Sequence, residues 1–478
     1  MMQFRSLIAG QWWPGGTPVP NENPSDLNDP VGTAFETDAD GVQAAIAAAA
    51  EAAPAWGLSG PQQRFDVLDR IGSEILARRE ELGRLLAREL GKTLPESIAE
   101  VGRAGQIFKF FAGEALRQAG QLLDSVRPGI RAEVTREPLG VVGLITPFNF
   151  PLAIPAWKVA PALAHGNAVV LKPAERTPAS AWALADIVQR AGLPPGVFNL
   201  VLARGAVAGP LLVDSPQVAA ISFTGSQAVG RRLAADCGLR LKKLQLEMGG
   251  KNPLLVLDDA DLDQAVNCAV QGAFYSTGQR CTASSRIIVT AGIAARFREA
   301  LVAATRSLRV GHALDLQTQI GPCADAAQRE FVEREIEAAL GDGAEVLCGG
   351  ERPVQPTVGH FLAPAVVMPA RPGTRLDRVE AFGPLASLSV VPDFEAGLAL
   401  ANDTEFGLAA GICTQSFRHA EAFRRRAQAG LVMVNLPTAG VDYHVPFGGR
   451  KASSLGPREQ GSMAAEFYTT VKTGYLQA

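Results

Sequence analysis

Two residues of this sequence, Cys281 and Glu247, carry side chains that can perform covalent chemistry on a carbonyl group. Cys281 stands in the motif GQRCT (278–282) and Glu247 in the motif LEMGGKNP (246–253). A cysteine attacks a carbonyl carbon as its thiolate, and a free thiol, with a pKa of about 8.5, is mostly protonated at neutral pH. A nearby carboxylate can take a proton from the thiol, or from a water that attacks the resulting thioester. The pair therefore predicts acyl chemistry through a thioester.

The neighbours of Cys281 distinguish it from the usual buried structural cysteine. It is flanked by Arg280 and other polar residues, and an arginine beside a thiolate stabilises the negative charge. Gly249 and Gly250, directly after Glu247, indicate a crowded backbone. The other cysteines stand in ordinary contexts and are interpreted as structural; they are Cys237, Cys268, Cys323, Cys348 and Cys413.

Asn149 lies between two aromatic residues and two prolines in the motif TPFNFP (146–151), directly after an apolar run at 141–145. A side-chain amide at the end of a buried strand can hold the oxyanion of a tetrahedral intermediate. The alternative is an asparagine that only shapes a turn. The residues alone leave both interpretations open.

Two further motifs suit a nucleotide. FTGS (223–226) stands where an apolar strand meets a helix, and glycine there lets a phosphate approach backbone N–H groups. The spacing is not that of the standard dinucleotide fingerprint, GxGxxG, so a tight turn is the competing interpretation. Lys172 and Glu175, in KPAE (172–175), follow another strand and can bond ribose hydroxyls, unless they form a solvated loop pair.

Composition bounds the function. A chain of 478 residues is long enough for two or three domains, and 47% hydrophobic with 19% charged residues is typical of a soluble globular protein. The net charge of -3 gives no case for nucleic acid or an anionic membrane surface, and the chain has no apolar run of about 18 residues. Six cysteines without a CxxC pair and five isolated histidines predict a reducing, cytoplasmic setting and no metal site.

The apolar periodicity predicts helices followed by two series of alternating strands and helices. The segments that precede these series are helices at 38–57, 61–90 and 95–118, and a strand pair at 121–137. One series begins at residue 141 and the other after Glu247, with a boundary near 245–250. This alternation favours an α/β fold with doubly wound parallel sheets.

In order and in spacing, the motifs match one protein family. Over essentially its whole length the chain resembles the NAD(P)-dependent aldehyde dehydrogenases. The motifs that carry the resemblance are TPFNFP (146–151), KPAE (172–175), FTGS (223–226), LEMGGKNP (246–253), GQRCTA (278–283), EAFGP (380–384) and PFGGRK (446–451). Ala381 replaces a β-branched residue common in that motif, a packing change that we expect to be tolerated.

The resemblance implies two doubly wound parallel-sheet domains and a small β arm for oligomerisation. The implied parts are a cofactor-binding domain at 1–120 and 139–246, a catalytic domain at 247–432, the arm at 121–138 and 460–478, and a C-terminal linker at 433–459. Segment 466–473 is expected to be a strand of the arm, which implies a homodimer or a homotetramer.

Position by position, the resemblance makes Cys281 the nucleophile that converts an aldehyde into a thiohemiacetal. Asn149 and the backbone N–H of Cys281 would hold the oxyanion. Hydride transfer to the nicotinamide would leave a thioester, and Glu247 would activate the water that hydrolyses it. Lys158 and Glu459 match a supporting pair of charges in the family.

The resemblance implies NAD as the cofactor, with NADP as the alternative. The residues implied to bind it are Lys172 and Glu175 at the adenosine ribose, Gly225 and Ser226 at the pyrophosphate, and Glu380 and Phe382 at the nicotinamide. A carboxylate in the position of Glu175 accepts a hydrogen bond from the ribose 2′-hydroxyl and repels a 2′-phosphate, which favours NAD.

Arg280 also bears on the substrate, because a guanidinium beside the nucleophile can pair with a distal carboxylate. The expected walls of the substrate tunnel are Phe148, Phe150, Trp157 and Phe447. Segment 435–460 looks most similar to family members that oxidise 2-oxoglutarate semialdehyde (2,5-dioxopentanoate). We therefore expect this anionic aldehyde, with succinate and glutarate semialdehydes as competitors, since one methylene is worth only about 1–3 kcal/mol of discrimination.

Three rival functions make different demands on the sequence. A non-catalytic structural protein would predict damaged chemistry, whereas Cys281, Glu247 and Asn149 are all present. A dehydrogenase that passes the thioester to coenzyme A does not need Glu247 as a base. A plain thioester or amide hydrolase does not need a nucleotide-binding half.

Overall fold

The first alternating series forms an eight-stranded sheet in the computed structural model, which describes residues 2–477. Its strands are, in spatial order, β20 (Ser454–Leu455), β12 (Lys243–Met248), β11 (Val218–Gly225), β8 (Val141–Ile145), β9 (Ala168–Lys172), β10 (Phe198–Leu200), β2 (Leu7–Ile8) and β3 (Gln11–Trp12). The central strands β8 to β12 run parallel, and the outer strands β2, β3 and β20 pair antiparallel. Strands β8 and β9 are almost wholly buried, as central parallel strands covered by helices must be, which explains why their sequences are apolar except for Lys172 at the end of β9.

Helices α1 to α8 accompany this sheet. They are α1 (Ala39–Gly57), α2 (Pro61–Ala77), α3 (Arg79–Leu90), α4 (Leu94–Ala115), α5 (Ala153–Ala164), α6 (Pro178–Arg190), α7 (Gly205–Asp214) and α8 (Gln227–Leu239). The prediction of one helix at 61–90 is wrong, because Arg78 turns out of the helical conformation, with φ −100° and ψ 16°. The break lets α2 pack on α4 and α5 while α3 packs on α4 and α6. Ion pairs with Glu74, Glu81 and Asp186 hold Arg78 at the bend.

The second series forms a seven-stranded sheet whose first strand in the chain, β13, follows shortly after β12, whereas β20 of the first sheet comes later in the chain. Its strands are, in spatial order, β15 (Glu345–Cys348), β16 (Ala365–Met368), β17 (Leu385–Val391), β14 (Arg286–Thr290), β13 (Pro253–Val256), β18 (Ala409–Cys413) and β19 (Leu431–Val434). The strands pair in parallel except for the antiparallel edge strand β15. The later helices are α9 (Leu262–Phe274), α10 (Ala291–Arg306), α11 (Ala326–Gly341), α12 (Arg375–Arg378), α13 (Phe394–Asn402), α14 (Phe417–Arg426) and α15 (Ala465–Tyr468). Two doubly wound sheets confirm the predicted α/β fold.

Two small sheets complete the described residues. One has the order β21 (Thr469–Gln477), β7 (Ile130–Pro138) and β6 (Gln121–Asp124), so the predicted strand pair at 121–137 is confirmed; we call this sheet the arm. The strand predicted at 466–473 begins only at Thr469, because Phe467 and Tyr468 lie in α15 and are buried in the core of the first half. The other sheet, at the N-terminus, has the order β1 (Met2–Phe4), β5 (Gly32–Glu36) and β4 (Thr17–Asn21).

None of the described helices combines the length and the apolar character that crossing a membrane requires.

Candidate active site

Two cavities meet at Cys281, in the cleft between the two large sheets. The first, of about 350 Å³, is lined by Asn149, Gly225 and Glu247 from the first half and by Glu380 from the second; we call it the glycine-side cavity. The second, of about 230 Å³, is lined by two arginines, Arg103 and Arg280, and we call it the arginine-side cavity. Cys281, Trp157 and Phe447 border both. A cleft at the carboxyl ends of parallel strands is where ligands bind in open α/β folds.

The thiol of Cys281 is held in its protonated form. Burial, followed by the carboxyl groups of Glu380 and Glu247, raises its pKa to about 12, although the backbone N–H groups of Cys281 and Thr282 act to lower it. Arg280, expected to stabilise the thiolate, is paired instead with Glu96, at 3.0 Å. A base must therefore take the proton of the thiol before or during attack.

The turn before Cys281 is strained and is held from helix α4. Residues 276–278 have positive φ angles of 52°, 59° and 64°, a conformation that costs free energy in residues other than glycine. Glu96 accepts hydrogen bonds from the backbone N–H of Ser276 at 2.8 Å and from its hydroxyl at 3.0 Å. The same carboxylate oxygen accepts the bond from Arg280 at 3.0 Å, so one acidic side chain fixes the path of the chain to Cys281.

Asn149 follows strand β8 and is almost fully buried. Its amide donates a hydrogen bond to the carbonyl of Gln279 at 2.9 Å, which orients the side chain beside the turn that carries Cys281. The bond uses one of the two amide hydrogens and leaves the second for a ligand. The geometry suits an oxyanion donor more closely than a free turn residue.

A buried ion pair clamps the loop that carries Asn149. Lys92 donates to the backbone carbonyl of Asn149 at 2.7 Å and pairs with Glu100 at 2.5 Å. The other carboxylate oxygen of Glu100 accepts the backbone N–H groups of Leu152 and Ala153, at 3.0 and 3.2 Å, and so caps the N-terminus of α5. Sequence analysis missed Lys92 and Glu100, although acidic residues at 96 and 100 with an arginine at 103 mark one face of the helix; such a stripe is usually solvated.

Glu247 lies on β12, and its carboxyl group is buried. The hydroxyl of Ser454 donates to one carboxylate oxygen at 2.6 Å, and the other oxygen has no hydrogen-bond partner in the described residues. Burial raises the pKa of Glu247 well above its usual range, and Glu459 adds to this, whereas Ser454 and Lys158 lower it. The predicted pair Lys158 and Glu459 is itself a buried ion pair behind Glu247, and Lys158 also donates to Ser222 at 2.7 Å.

The predicted adenosine residues line a cavity of about 860 Å³. Lys172, at the end of β9, pairs with Glu175 at 3.1 Å, and the backbone N–H of Gly205 donates to the same oxygen of Glu175 at 2.6 Å. The second oxygen of Glu175 is left for a ligand. Ser226 is the N-cap residue of α8, directly after Gly225, and makes no side-chain capping bond, so the first N–H groups of this helix are available for an anion.

Glu380 and Phe382 border the glycine-side cavity. The backbone N–H of Gly250 donates to Glu380 at 2.9 Å, and a Cβ atom at Gly249 would lie 1.8 Å from its carboxylate. The crowding inferred from the two glycines after Glu247 is therefore real. Burial raises the pKa of Glu380 to about 7. The ring of Phe382 packs edge to face on Phe148, with centroids 5.7 Å apart.

The aromatic residues expected around the substrate do border the arginine-side cavity. The rings of Trp157 and Phe447 lie 5.2 Å apart, and the ammonium of Lys92 lies 3.7 Å from the ring centroid of Phe150. Phe148, expected with them, lies in the glycine-side cavity instead. Arg103, which the sequence analysis did not single out, lines the arginine-side cavity together with Arg280.

A cleft between two parallel sheets, with a cysteine at its centre and a helix N-terminus facing a cavity of nucleotide size, has the form of a nucleotide-dependent dehydrogenase. The chain belongs to the aldehyde dehydrogenase family, whose family model matches residues 12–474. It is accordingly an oxidoreductase that oxidises aldehydes.

Similar proteins share this full length. The chain is 40% identical to the alpha-ketoglutaric semialdehyde dehydrogenase of Bacillus subtilis, over 99% of the chain and 98% of the relative. It is 38% identical to the succinate-semialdehyde dehydrogenase [NADP(+)] of Escherichia coli, over 99% of the chain and 97% of the relative. The solved structure of betaine aldehyde dehydrogenase from Staphylococcus aureus in complex with NAD+ superposes with a TM-score of 0.96 at 31% identity, covering 99% of this chain and 95% of that one.

Proposed function

We propose that the chain oxidises 2-oxoglutarate semialdehyde to its dicarboxylic acid with NAD, or less efficiently with NADP, through a thioester on Cys281. The observation that carries the anionic substrate is the charge of the arginine-side cavity. Its charged lining residues are Lys92, Arg103 and Arg280 against Glu96 and Glu100, which leaves one net positive charge beside the nucleophile. The name of the Bacillus subtilis relative supports the same compound.

In the first step the sulfur of Cys281 bonds to the aldehyde carbon while its proton passes to ionised Glu247, directly or through one water. The carbonyl oxygen becomes an oxyanion, held by the free amide hydrogen of Asn149 and by the backbone N–H of Cys281. The nicotinamide, when bound, accepts the hydride that leaves this carbon. The carbonyl then re-forms as a thioester, and Asn149 keeps its oxygen polarised.

Before the second step Glu247 releases to solvent the proton that it took from the thiol. Ionised again, it then takes a proton from a water as the water oxygen bonds to the thioester carbon. The carbon–sulfur bond breaks, and the carboxylic acid leaves with Cys281 as a thiolate. Behind Glu247, Lys158 favours its ionised form and Glu459 favours its protonated form, so the pair acts on both states that Glu247 passes through. Because coenzyme A transfer needs no base, the buried carboxyl of Glu247 favours hydrolysis over a coenzyme A acceptor.

The cofactor fits the chain's own residues. Glu175 has a free oxygen for a ribose hydroxyl, and Lys172 lies beside it. Gly225 and Ser226 would hold the pyrophosphate at the open N-terminus of α8, a site that needs only backbone donors. Glu380 and Phe382 would meet the nicotinamide end. NAD is favoured because the carboxylate of Glu175 would repel a 2′-phosphate.

These residue roles assign a function to each domain of the chain. We assign cofactor binding to 1–120 and 139–246, the nucleophile to the domain at 247–432, and the lining of the cavity mouth to the linker at 433–459. The arm, at 121–138 and 460–478, would join copies of the chain into a homodimer or a homotetramer.

The test is the initial rate of NADH and NADPH formation with three acid semialdehydes (2-oxoglutarate, succinate and glutarate) and with pentanal, an uncharged aldehyde. We expect the acids to exceed pentanal in kcat/KM, with 2-oxoglutarate semialdehyde highest and NAD above NADP. Highest activity with succinate semialdehyde would move the assignment to that substrate, for which the Escherichia coli relative is named. Equal rates with pentanal would refute an anionic substrate, and no reduced cofactor would favour a non-catalytic protein.

A further inference from the structure

Helix α4 presents three charged side chains to the site, and two of them already have ion-pair partners within the protein. Glu96 bonds the turn before Cys281 and pairs with Arg280, and Glu100 pairs with Lys92 and caps α5. The third, Arg103, lies one turn further along the same face and lines the arginine-side cavity.

Arg103 is the basic group of this cavity that lacks a counter-ion. Within residues 2–477 no carboxylate lies in ion-pairing distance of its guanidinium, whereas both Lys92 and Arg280 have one. Its one hydrogen bond is a long contact of 3.4 Å to the side chain of Gln460. The Nε atoms of Arg103 and Arg280 are both buried without a partner, so what distinguishes Arg103 is that its terminal nitrogens have no carboxylate. A partly buried guanidinium without a counter-ion is costly, and Arg103 lines the cavity, so it is placed to receive an anionic acceptor there.

The charged groups near Arg103 also leave its guanidinium without a close counter-ion. Burial lowers the pKa of Arg103, and the charges of Asp442, Glu100 and Cys281 raise it. Asp442 is exposed, on the loop whose residues 439–441 line the cavity mouth, and Glu100 is already paired with Lys92. The guanidinium therefore keeps its charge and faces the space between the nucleophile and the solvent.

We infer that Arg103 is the specificity-determining residue that pairs with the distal carboxylate of the substrate, and that Arg280 chiefly holds the turn before Cys281. This rests on the proposed oxidation of an acid semialdehyde. A planar guanidinium can take a carboxylate through two parallel hydrogen bonds, which fixes the orientation of the chain as well as its charge. Asp442 then acts as a competing anion at the entrance.

The experiment compares kcat/KM for 2-oxoglutarate semialdehyde and for pentanal in four proteins: wild type, Arg103→Met, Arg280→Met and Asp442→Asn. We expect Arg103→Met to lower the acid-to-pentanal ratio by about 10- to 100-fold, the loss of one hydrogen-bonded charge pair, mainly through KM. Arg280→Met should lower both rates together and keep the ratio within about threefold, because it loosens the turn for every substrate. Asp442→Asn should raise the ratio.

Arg103→Lys keeps the charge and should recover part of the ratio, which a purely structural role would not predict. Calorimetric binding of glutarate, an unreactive dicarboxylate, to the NAD-loaded enzyme gives a readout without turnover; affinity should fall in Arg103→Met but not in Arg280→Met. An unchanged ratio in Arg103→Met, or a selective loss in Arg280→Met, would overturn the inference and leave the proposed function standing. If the wild type does not prefer the acid semialdehyde over pentanal, both the role of Arg103 and the proposed anionic substrate are refuted. No other result of this experiment bears on the proposed function.

Discussion

At the scale of single residues, Glu247 has to meet two opposing demands. It must be ionised to accept a proton, yet it is buried, with one oxygen unpaired and its pKa raised well above the usual range. We therefore expect the rate of thioester hydrolysis to increase with pH over a range well above that of an ordinary glutamate, as a larger fraction of Glu247 becomes ionised.

Replacing Glu247 by Gln should slow both chemical steps, because the proposed mechanism uses this carboxylate as the base in each. Glutamine cannot accept the proton of water, so steady-state turnover should fall by about 10²- to 10⁴-fold, the usual contribution of a general base. The first turnover should slow as well, with no burst of NADH, because Glu247 is also the group that takes the proton of the Cys281 thiol, whose pKa is raised to about 12. Stopped-flow NADH absorbance measures the first turnover and the steady-state rate, and mass spectrometry detects the acyl-enzyme. A variant that turns over at the wild-type rate would remove Glu247 from the mechanism.

Glu380 should make stability depend on pH. Its folded pKa of about 7 lies above the ordinary 4.5, so the folded state holds a proton that the unfolded chain releases. Its contribution to stability is fully present below pH 4.5 and is lost as the pH rises through about 7, at a cost of about 3 kcal/mol. Glu380→Gln should unfold at a higher temperature than wild type at pH 8, with a smaller difference at pH 5. The exposed control Glu351→Gln should show no such trend. If the unfolding temperatures of Glu380→Gln and wild type differ by the same amount at pH 5 and pH 8, the prediction is contradicted.

At the scale of elements, helix α4 holds in place two loops that carry the recognised motifs, although it belongs to neither loop. Its residues 96 and 100 hold the nucleophile turn and the Asn149 loop, although the helix itself carries none of the recognised motifs. Removing one partner of a buried ion pair leaves an uncompensated charge and typically costs about 3–5 kcal/mol, whereas replacing both by apolar groups is often neutral.

The pair Lys92 and Glu100 tests whether this clamp serves stability or positioning. Lys92→Met and Glu100→Leu should each lower the unfolding temperature and also kcat, since misplacing Asn149 by about 1 Å can cost 10²-fold in rate. The double variant Lys92→Met/Glu100→Leu should regain most of the stability but not the kcat, because the loop still lacks its two anchors. Thermal unfolding and kcat with 2-oxoglutarate semialdehyde are measured side by side. Recovery of kcat together with stability would show that the pair only supports the fold.

At the scale of the whole molecule, the arm leaves apolar side chains in solvent. Leu122 and Leu123 on β6, and Val471 and Tyr475 on β21, are each at least 49% exposed. An antiparallel sheet with open edges and exposed apolar residues on one chain is a surface that a second chain can cover. This agrees with the proposed homodimer or homotetramer.

A charge on the arm should therefore dissociate the assembly. We expect Leu123→Lys combined with Val471→Lys to shift the wild-type oligomer toward a smaller species in light scattering after size-exclusion chromatography. Val354→Lys, at a fully exposed valine outside the arm, is the matched control and should leave the mass unchanged. A wild type that is already monomeric, or an oligomer that survives the arm variants, would contradict this role.

The sequence by itself determined the chemical groups and the layered fold. Cys281, Glu247 and Asn149 could be singled out because each stands at the end of a strand or turn whose apolar or glycine-rich neighbours are local in the chain. The same local periodicity predicted the two series of strands and helices, and failed where packing overrode it, at the bend of Arg78 and at buried Phe467 and Tyr468.

Only the tertiary structure decided which charges meet. Lys158 and Glu459 stand 301 residues apart, and Glu247 is 207 residues from Ser454, so no local pattern reports that they bond. For the same reason the charged face of α4 looked like a solvated stripe, since burial depends on what packs against a helix and not on its sequence. Whether Arg280 or Arg103 is free for a carboxylate was likewise fixed by a partner 184 residues away, Glu96, because electrostatic pairing follows distance in space.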